Sequence, residues 1–157
     1  MLRPGSNLMK RLTVISGNVA DDKLTPSIWS AQVTDIKRIL STPLYEKILS
    51  DFASNTLSDE YLTIYNDFVT YMLVFYSASH FVMNNSIIVG NAGNYKHSTD
   101  SAAIADYKEV DRLSKYYREM GANYELNFYE FMKDKNLPEY SRGCSVDTNT
   151  FKFGWFL

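Results

Sequence analysis

A chain of 157 residues is one domain's worth of sequence, and at that length folding buries roughly 70% of the unfolded surface, enough for a core without disulfides or metals. Apolar residues make up 45% and charged residues 22%, which excludes wholesale disorder, and 16 Lys+Arg against 18 Asp+Glu leave a net charge of -2, which argues against a dedicated nucleic-acid binder. Aromatic residues reach 15%, with 12 Tyr and 9 Phe, and these side chains supply contact area of the kind enriched at protein interfaces.

Residues 1–24 read as irregular or extended, with Thr13-Val14-Ile15 as a short strand. Arg3, Lys10 and Arg11 before Leu12-Thr13-Val14-Ile15 loosely imitate a signal peptide, but an apolar run of about four residues is shorter than the ~7–15 of an h-region. Thr25-Pro26 is a helix start, with Thr as N-cap and Pro at the first helical position. Ile28, Trp29, Val33, Ile36, Ile39 and Leu40 follow at three- and four-residue spacing as its expected apolar face. The helix stops before Pro43, because the residue preceding proline avoids the α region. Thr42-Pro43 repeats the start signal, Leu44, Tyr45, Ile48, Leu49 and Phe52 give a second short helix, and Ser54-Asn55-Thr56 closes it.

Ser58 caps a long helix over 58–83, with Asp59 and Glu60 favourable against the helix dipole in its first turn. Its second half is apolar on nearly all sides, the pattern of a central helix buried all round. Residues 84–99 break the pattern: Ser86-Ile87-Ile88-Val89 as a short strand, then Gly90-Asn91-Ala92-Gly93-Asn94, fit a hairpin or extended loop. Thr99 or Asp100 caps the second long helix, 101–135, whose stripe runs Ala103, Tyr107, Val110, Leu113, Tyr117, Met120, Tyr124, Phe128, Phe131 and Met132. Its other face mixes seven acids with six bases between Ser101 and Asn136, and Asp111 and Lys115 stand in the supportive i,i+4 order. From Leu137 the chain turns polar, then ends in Phe151-Lys152-Phe153-Gly154-Trp155-Phe156-Leu157.

The expected fold class is therefore mainly α. It is a helical bundle of two long antiparallel helices and two short ones, with a short strand or hairpin loop and an extended C-terminal tail. The division is a helical domain over 1–136, with loop 84–99 projecting, and an arm over 137–157.

Chemistry is scarce. There is no P-loop lysine motif, no HExxH, no paired CxxC and no GxSxG. One Cys allows no internal disulfide, and His80, His97 and Cys144 are too few and too scattered for a structural zinc site. The expectation is no catalytic residue, no metal and no cofactor. Ile87 to Gly93 superficially looks like a strand entering a phosphate loop, but it lacks the full glycine fingerprint and a parallel βαβ context. His80 reads as a core or interface histidine, His97 as solvated and Cys144 as an ordinary thiol. Between Phe68 and Tyr95 there is no charged residue, but the apolar part ends after about sixteen residues, below the ~20 needed to span a bilayer, so no membrane partner is expected.

The order of elements, with Leu24-Thr25-Pro26-Ser27-Ile28-Trp29-Ser30-Ala31-Gln32, then Ile39-Leu40 and Pro43-Leu44-Tyr45, resembles the head-to-tail connector (adaptor) proteins of tailed bacteriophages. The helix from Tyr61 to Met83, and that from Tyr107 to Phe131 with Lys115-Tyr116-Tyr117-Arg118 and Ala122-Asn123-Tyr124, extend the likeness. Among these proteins it is similar to those of crAss-like phages that infect Bacteroides, over about residues 20–140. The resemblance implies a non-enzymatic virion protein in the neck, assembled in the bacterial host cytoplasm. Such adaptors form rings, commonly dodecameric, and the implied partners are further copies of the chain, the portal protein, and other connector or tail rings. DNA only passes through the channel. A small helical regulatory or protein-binding module is the alternative.

Interface residues are expected in two places. Loop 84–99 offers Ile87, Ile88, Val89 and Tyr95 to a neighbouring subunit or ring. The C-terminus offers Phe151, Phe153, Trp155, Phe156 and Leu157, five large apolar residues whose exposure would forgo roughly 1.5–3 kcal/mol each. Phe151 and Phe153 alternate with Lys152 and Gly154, a strand-like period suited to adding to a sheet edge on a partner.

Overall fold

The computed structural model describes residues 1–2, 6–15, 17–86, 88–90, 93–95 and 106–140. The protein is mainly helical, as expected from its periodicity. Seven α-helices are described: α1 Ser6–Leu12, α2 Asp21–Ala31, α3 Lys37–Leu40, α4 Thr42–Ser54, α5 Asp59–Thr63, α6 Thr70–Asn84 and α7 Tyr107–Phe131. A π-helical stretch, Gln32–Ile36, fuses α2 to α3, and a second, Ile64–Val69, fuses α5 to α6. The chain thus builds continuous helical rods over 21–40 and 59–84.

The first segment departs from expectation. Residues 6–12 are helix, with Lys10 and Arg11 favourably placed in the last turn and Met9 fully buried. Thr13-Val14-Ile15 form no strand. The Thr13 hydroxyl donates to the Met9 carbonyl at 2.7 Å and accepts from the Ile15 amide at 3.2 Å, closing a turn after α1. The Val14 amide donates to the Tyr117 hydroxyl at 2.7 Å, which ties this turn to α7.

The next helix starts at Asp21 rather than at Thr25-Pro26. Asp21 and Asp22 occupy its first turn and favour its N-terminus. Pro26 lies inside the helix, where its missing N–H leaves only the carbonyl one turn back, on exposed Asp22, without an intrahelical donor. The rod ends at Leu40, where Ser41 takes φ 67°, and α4 follows with Pro43 in its first turn. Asn55, at φ 55° and ψ 39°, closes α4 in the left-handed conformation.

Ser58 precedes α5 in an extended conformation, though its side chain makes no capping bond. Along α6 every residue from Met72 to Ser79 is buried. A helix apolar on nearly all sides has one stable location, the centre of the bundle. Strand β1 Ile88–Gly90 pairs antiparallel with β2 Gly93–Tyr95, with Ile88 opposite Tyr95 and Val89 opposite Asn94. The cap of α7 is Asp106, not Thr99 or Asp100. Asp106 and Glu109 form a capping box, which satisfies two orphan backbone donors at once and sets the start at Tyr107.

Aromatic pairs join α7 to the central rod in reverse order. Phe68 meets Phe131 with ring centroids 5.0 Å apart, Tyr71 stacks on Tyr124 at 5.0 Å, and Phe75 stacks on Tyr117 at 6.4 Å. The Ser79 and Ser114 hydroxyls meet at 2.9 Å. The two helices therefore run antiparallel. After α7 a 3-10 turn, Met132–Asp134, leads into Leu137, which is buried, and Tyr140, whose ring packs edge-on against Phe128. The Tyr61 hydroxyl donates to the Glu139 carboxylate at 2.7 Å and Ser41 to the Glu139 carbonyl at 3.4 Å. Residues 137–140, the described part of the expected arm, thus lie against the body.

Candidate functional site

The buried face of the rod over 21–40 is partly polar. Gln32 and Asp35 are only 2% and 4% exposed, and both lie in the π-helical stretch. The wider turn swings them inward together with Ile36. Gln32 uses its amide as a peptide would: its Oε1 accepts from the Leu2 amide at 3.0 Å and its Nε2 donates to the Leu2 carbonyl at 2.7 Å. Leu2 is thereby pinned, fully buried, in the core.

Asp35 meets His80 of α6 and Arg118 of α7. Its Oδ2 lies 2.9 Å from His80 Nε2, its Oδ1 accepts from Arg118 Nη1 at 3.3 Å, and Thr34 Oγ1 donates to Oδ2 at 2.9 Å. Burial pushes the Asp35 carboxyl up, but the hydrogen bonds from His80 and Thr34 and the charge of Arg118 outweigh it and hold the group below the ordinary carboxylate range. One turn further along the rod, Arg38 grips Glu125 of α7 bidentately, both bonds at 3.0 Å. The Tyr76 and Tyr129 hydroxyls donate to the same carboxylate at 2.8 and 2.9 Å. Burial raises the Glu125 carboxyl, yet Arg38, Tyr76 and Tyr129 bring it below its ordinary value. Burial and the bond to Glu125 push the Tyr129 hydroxyl up to about 12.

The two clusters join through Tyr76. The Arg118 guanidinium sits 5.7 Å above its ring, and Gly121 of α7 approaches the ring so closely that a Cβ there would stand 3.0 Å from Cε1 and Cζ. One network therefore stitches three helices. Chemically it is a latch. In a hydrolytic triad the imidazole contacts its carboxylate and its nucleophile through different nitrogens. Here Asp35 and Thr34 both face Nε2 of His80, at 2.9 and 3.5 Å, and the single Thr34 hydroxyl proton is shared between Asp35 Oδ2 and the Ser30 carbonyl, at 2.9 and 2.8 Å.

The opposite face of the same rod is apolar and open. Trp29 is 59% exposed and Val33 45%, with exposed Pro26 on the same side. This corrects the expected apolar face, which placed Trp29 and Val33 inward with Ile28, Ile36 and Ile39. Ile28, Ile36, Ile39 and Leu40 of that face are buried as expected, and Ala31, Gln32 and Asp35 take the inward places expected of Trp29 and Val33. Gln32 and Asp35 are polar, and their partners lie far away in the chain, so no local pattern announces that they face inward. A second outward position is Leu126 of α7, 64% exposed, with Tyr116 53% exposed on the same helix.

Of the expected interface residues, Ile88, Val89 and Tyr95 lie on the β1–β2 pair. Ile87, Phe151, Phe153, Trp155, Phe156 and Leu157 lie outside the described residues, as do His97 and Cys144. Among the described residues no three His, Cys, Asp or Glu converge as metal ligands, and no helix is long and apolar enough to cross a membrane.

The fold and its network define a mainly helical protein with a polar interhelical latch and an outward apolar helix face. The chain belongs to a family of unknown function, DUF6712, which it matches over residues 36–150. No curated protein and no solved structure matches the chain significantly.

Proposed function

We propose that this protein is a structural component of the virion of a tailed bacteriophage. It forms a ring in the head-to-tail connector beneath the portal and lines part of the channel through which DNA passes. The observation that carries this reading is the pair of outward apolar positions on different helices, Trp29 with Val33 on the first rod and Leu126 with Tyr116 on α7. A cyclic ring is heterologous: each subunit presents two different, complementary faces. The resemblance of residues 20–140 to connector proteins points the same way. A net charge of -2 suits a channel wall that must not hold DNA.

In this reading the antiparallel helices form the ring body, the loop over 84–99 reaches a neighbouring subunit or ring, and the part of the arm beyond Tyr140 reaches the portal or an adjacent copy. The protein is non-enzymatic and needs no cofactor. It resides in the virion neck and assembles in the host cytoplasm. The test is solution mass with electron microscopy of the purified protein, together with its detection in virions. A closed ring of a defined multiple of 18.1 kDa, present in particles, is expected. A protein that stays monomeric at all concentrations and is missing from particles would instead be the small protein-binding module.

A further inference from the structure

We infer that the outward face of the rod over 21–40, centred on Trp29 and Val33, receives the aromatic C-terminal segment 151–157 of an adjacent copy of this chain. The inference rests on the ring reading and names what covers one of its two faces.

The acceptor is an unpartnered apolar helix face. Trp29 and Val33 stand one turn apart, 59% and 45% exposed, directly opposite buried Ala31 and Asp35. A Trp on a helix surface is the residue type that most often anchors an interface. The donor is identified by composition and by where the described chain ends. Phe151, Phe153, Trp155, Phe156 and Leu157 are five large apolar side chains within seven residues. The described chain ends at Tyr140, held by Phe128, with Glu139 bonded to Ser41 and Tyr61.

Ser41 is the residue at which the acceptor rod ends. At about 1.5 Å per residue, Trp29 stands within roughly 20 Å of Ser41 along that rod. Residues 141–150 span up to about 33 Å when extended. Residues 141–150 therefore have length to spare over the distance to the Trp29 face of their own rod, and in the ring reading the segment uses that length to cross to the equivalent face of the adjacent subunit. Donor and acceptor are different surfaces, so the contact is heterologous and repeats from subunit to subunit around a ring.

The test is complementation between two full-length variants. One replaces the acceptor, Trp29→Glu with Val33→Glu. The other replaces the donor, Phe151→Ser, Phe153→Ser, Trp155→Ser and Phe156→Ser. Each alone should keep its helical circular dichroism and sediment as an 18.1 kDa monomer. Mixed, they should form a 1:1 dimer and nothing larger, because the mixture holds one intact donor and one intact acceptor. Should the Glu pair lower the helical signal, Trp29→Gln with Val33→Thr replaces it. Either variant assembling like the parent protein overturns the inference. So does a mixture that stays monomeric, the result if the segment covers its own subunit. Parent protein that grows into open chains rather than a closed ring, with the 1:1 dimer intact, overturns the ring reading alone.

Discussion

The two faces of the rod over 21–40 invert the usual arrangement. Its inner face carries Gln32 and Asp35 among apolar neighbours, both nearly fully buried, while its outer face carries Trp29 and Val33 in the open. The inner polar groups are tolerated because every one has a partner: the Leu2 backbone for Gln32, and His80, Arg118 and Thr34 for Asp35. The outer apolar groups contribute nothing comparable to the subunit. The contrast separates what holds the subunit together from what the proposed ring leaves for a partner. It also implies that substitutions on the two faces have opposite signatures: loss of stability inside, loss of association outside.

The largest loss of stability is expected at Glu125. Glu125→Ala removes the acceptor of four hydrogen bonds and leaves the Tyr76 and Tyr129 hydroxyls and Arg38 without it. Hydrogen bonds to charged groups are worth about 1.5–3 kcal/mol, and these are coupled rather than additive, so a loss of about 3 kcal/mol in chemical denaturation is expected. A loss below about 1 kcal/mol would show the network to be incidental.

Gly121→Ala comes next. Alanine gains up to about 1 kcal/mol of helix propensity. The new Cβ nevertheless presses on the Tyr76 ring, which is 2% exposed and held by Glu125 at 2.8 Å and by the Arg118 guanidinium above it. Overpacking of this kind costs about 1–3 kcal/mol, so a net destabilisation is expected, and a variant more stable than the parent would contradict the close contact.

Acid sharpens the same comparison. Asp35 and Glu125 are held below their ordinary values of 3.8 and 4.5. Their stabilisation is fully present above those values and is lost as pH falls through the lowered folded-state values. Stability measured from pH 5 downward should fall steeply in the parent protein and less steeply in an Asp35→Asn, Glu125→Gln variant. Parallel curves would show that neither carboxylate is linked to folding.

Ser77→Ala is expected to have the smallest effect. Its hydroxyl is the one buried side-chain polar atom without a partner among the described residues. Removing it should leave stability unchanged or raise it by up to about 1 kcal/mol. A clear loss would reveal a hydrogen bond at Ser77.

Much of the helical body is legible in the sequence. The run Met72 to Ala78 is buried on every side because it is apolar on nearly every side, and Asn55 ends α4 because Asn tolerates the left-handed conformation. The first helix is not legible: seven residues, Ser6–Leu12, are too few to show a period. Thr25-Pro26 carries a start signal inside a helix already under way, and a position where proline removes a hydrogen bond is not one the sequence pattern marks as interior. The latch is the least legible part. Asp35 pairs with residues 45 and 83 positions away, and Arg38 with one 87 positions away. Such partners emerge only from the packing of three helices. The π-helical turn that aims Gln32 and Asp35 inward has no marker residue of its own.

The most direct measurement of the central claim is sedimentation of the parent protein beside a Trp29→Glu, Val33→Glu variant, with a thermal melt of each. The account predicts a parent that assembles and a variant that sediments at 18.1 kDa, while the monomeric variant still unfolds cooperatively with full helical content. A variant that keeps its helical content and still assembles like the parent would contradict the assignment of the outer face to assembly.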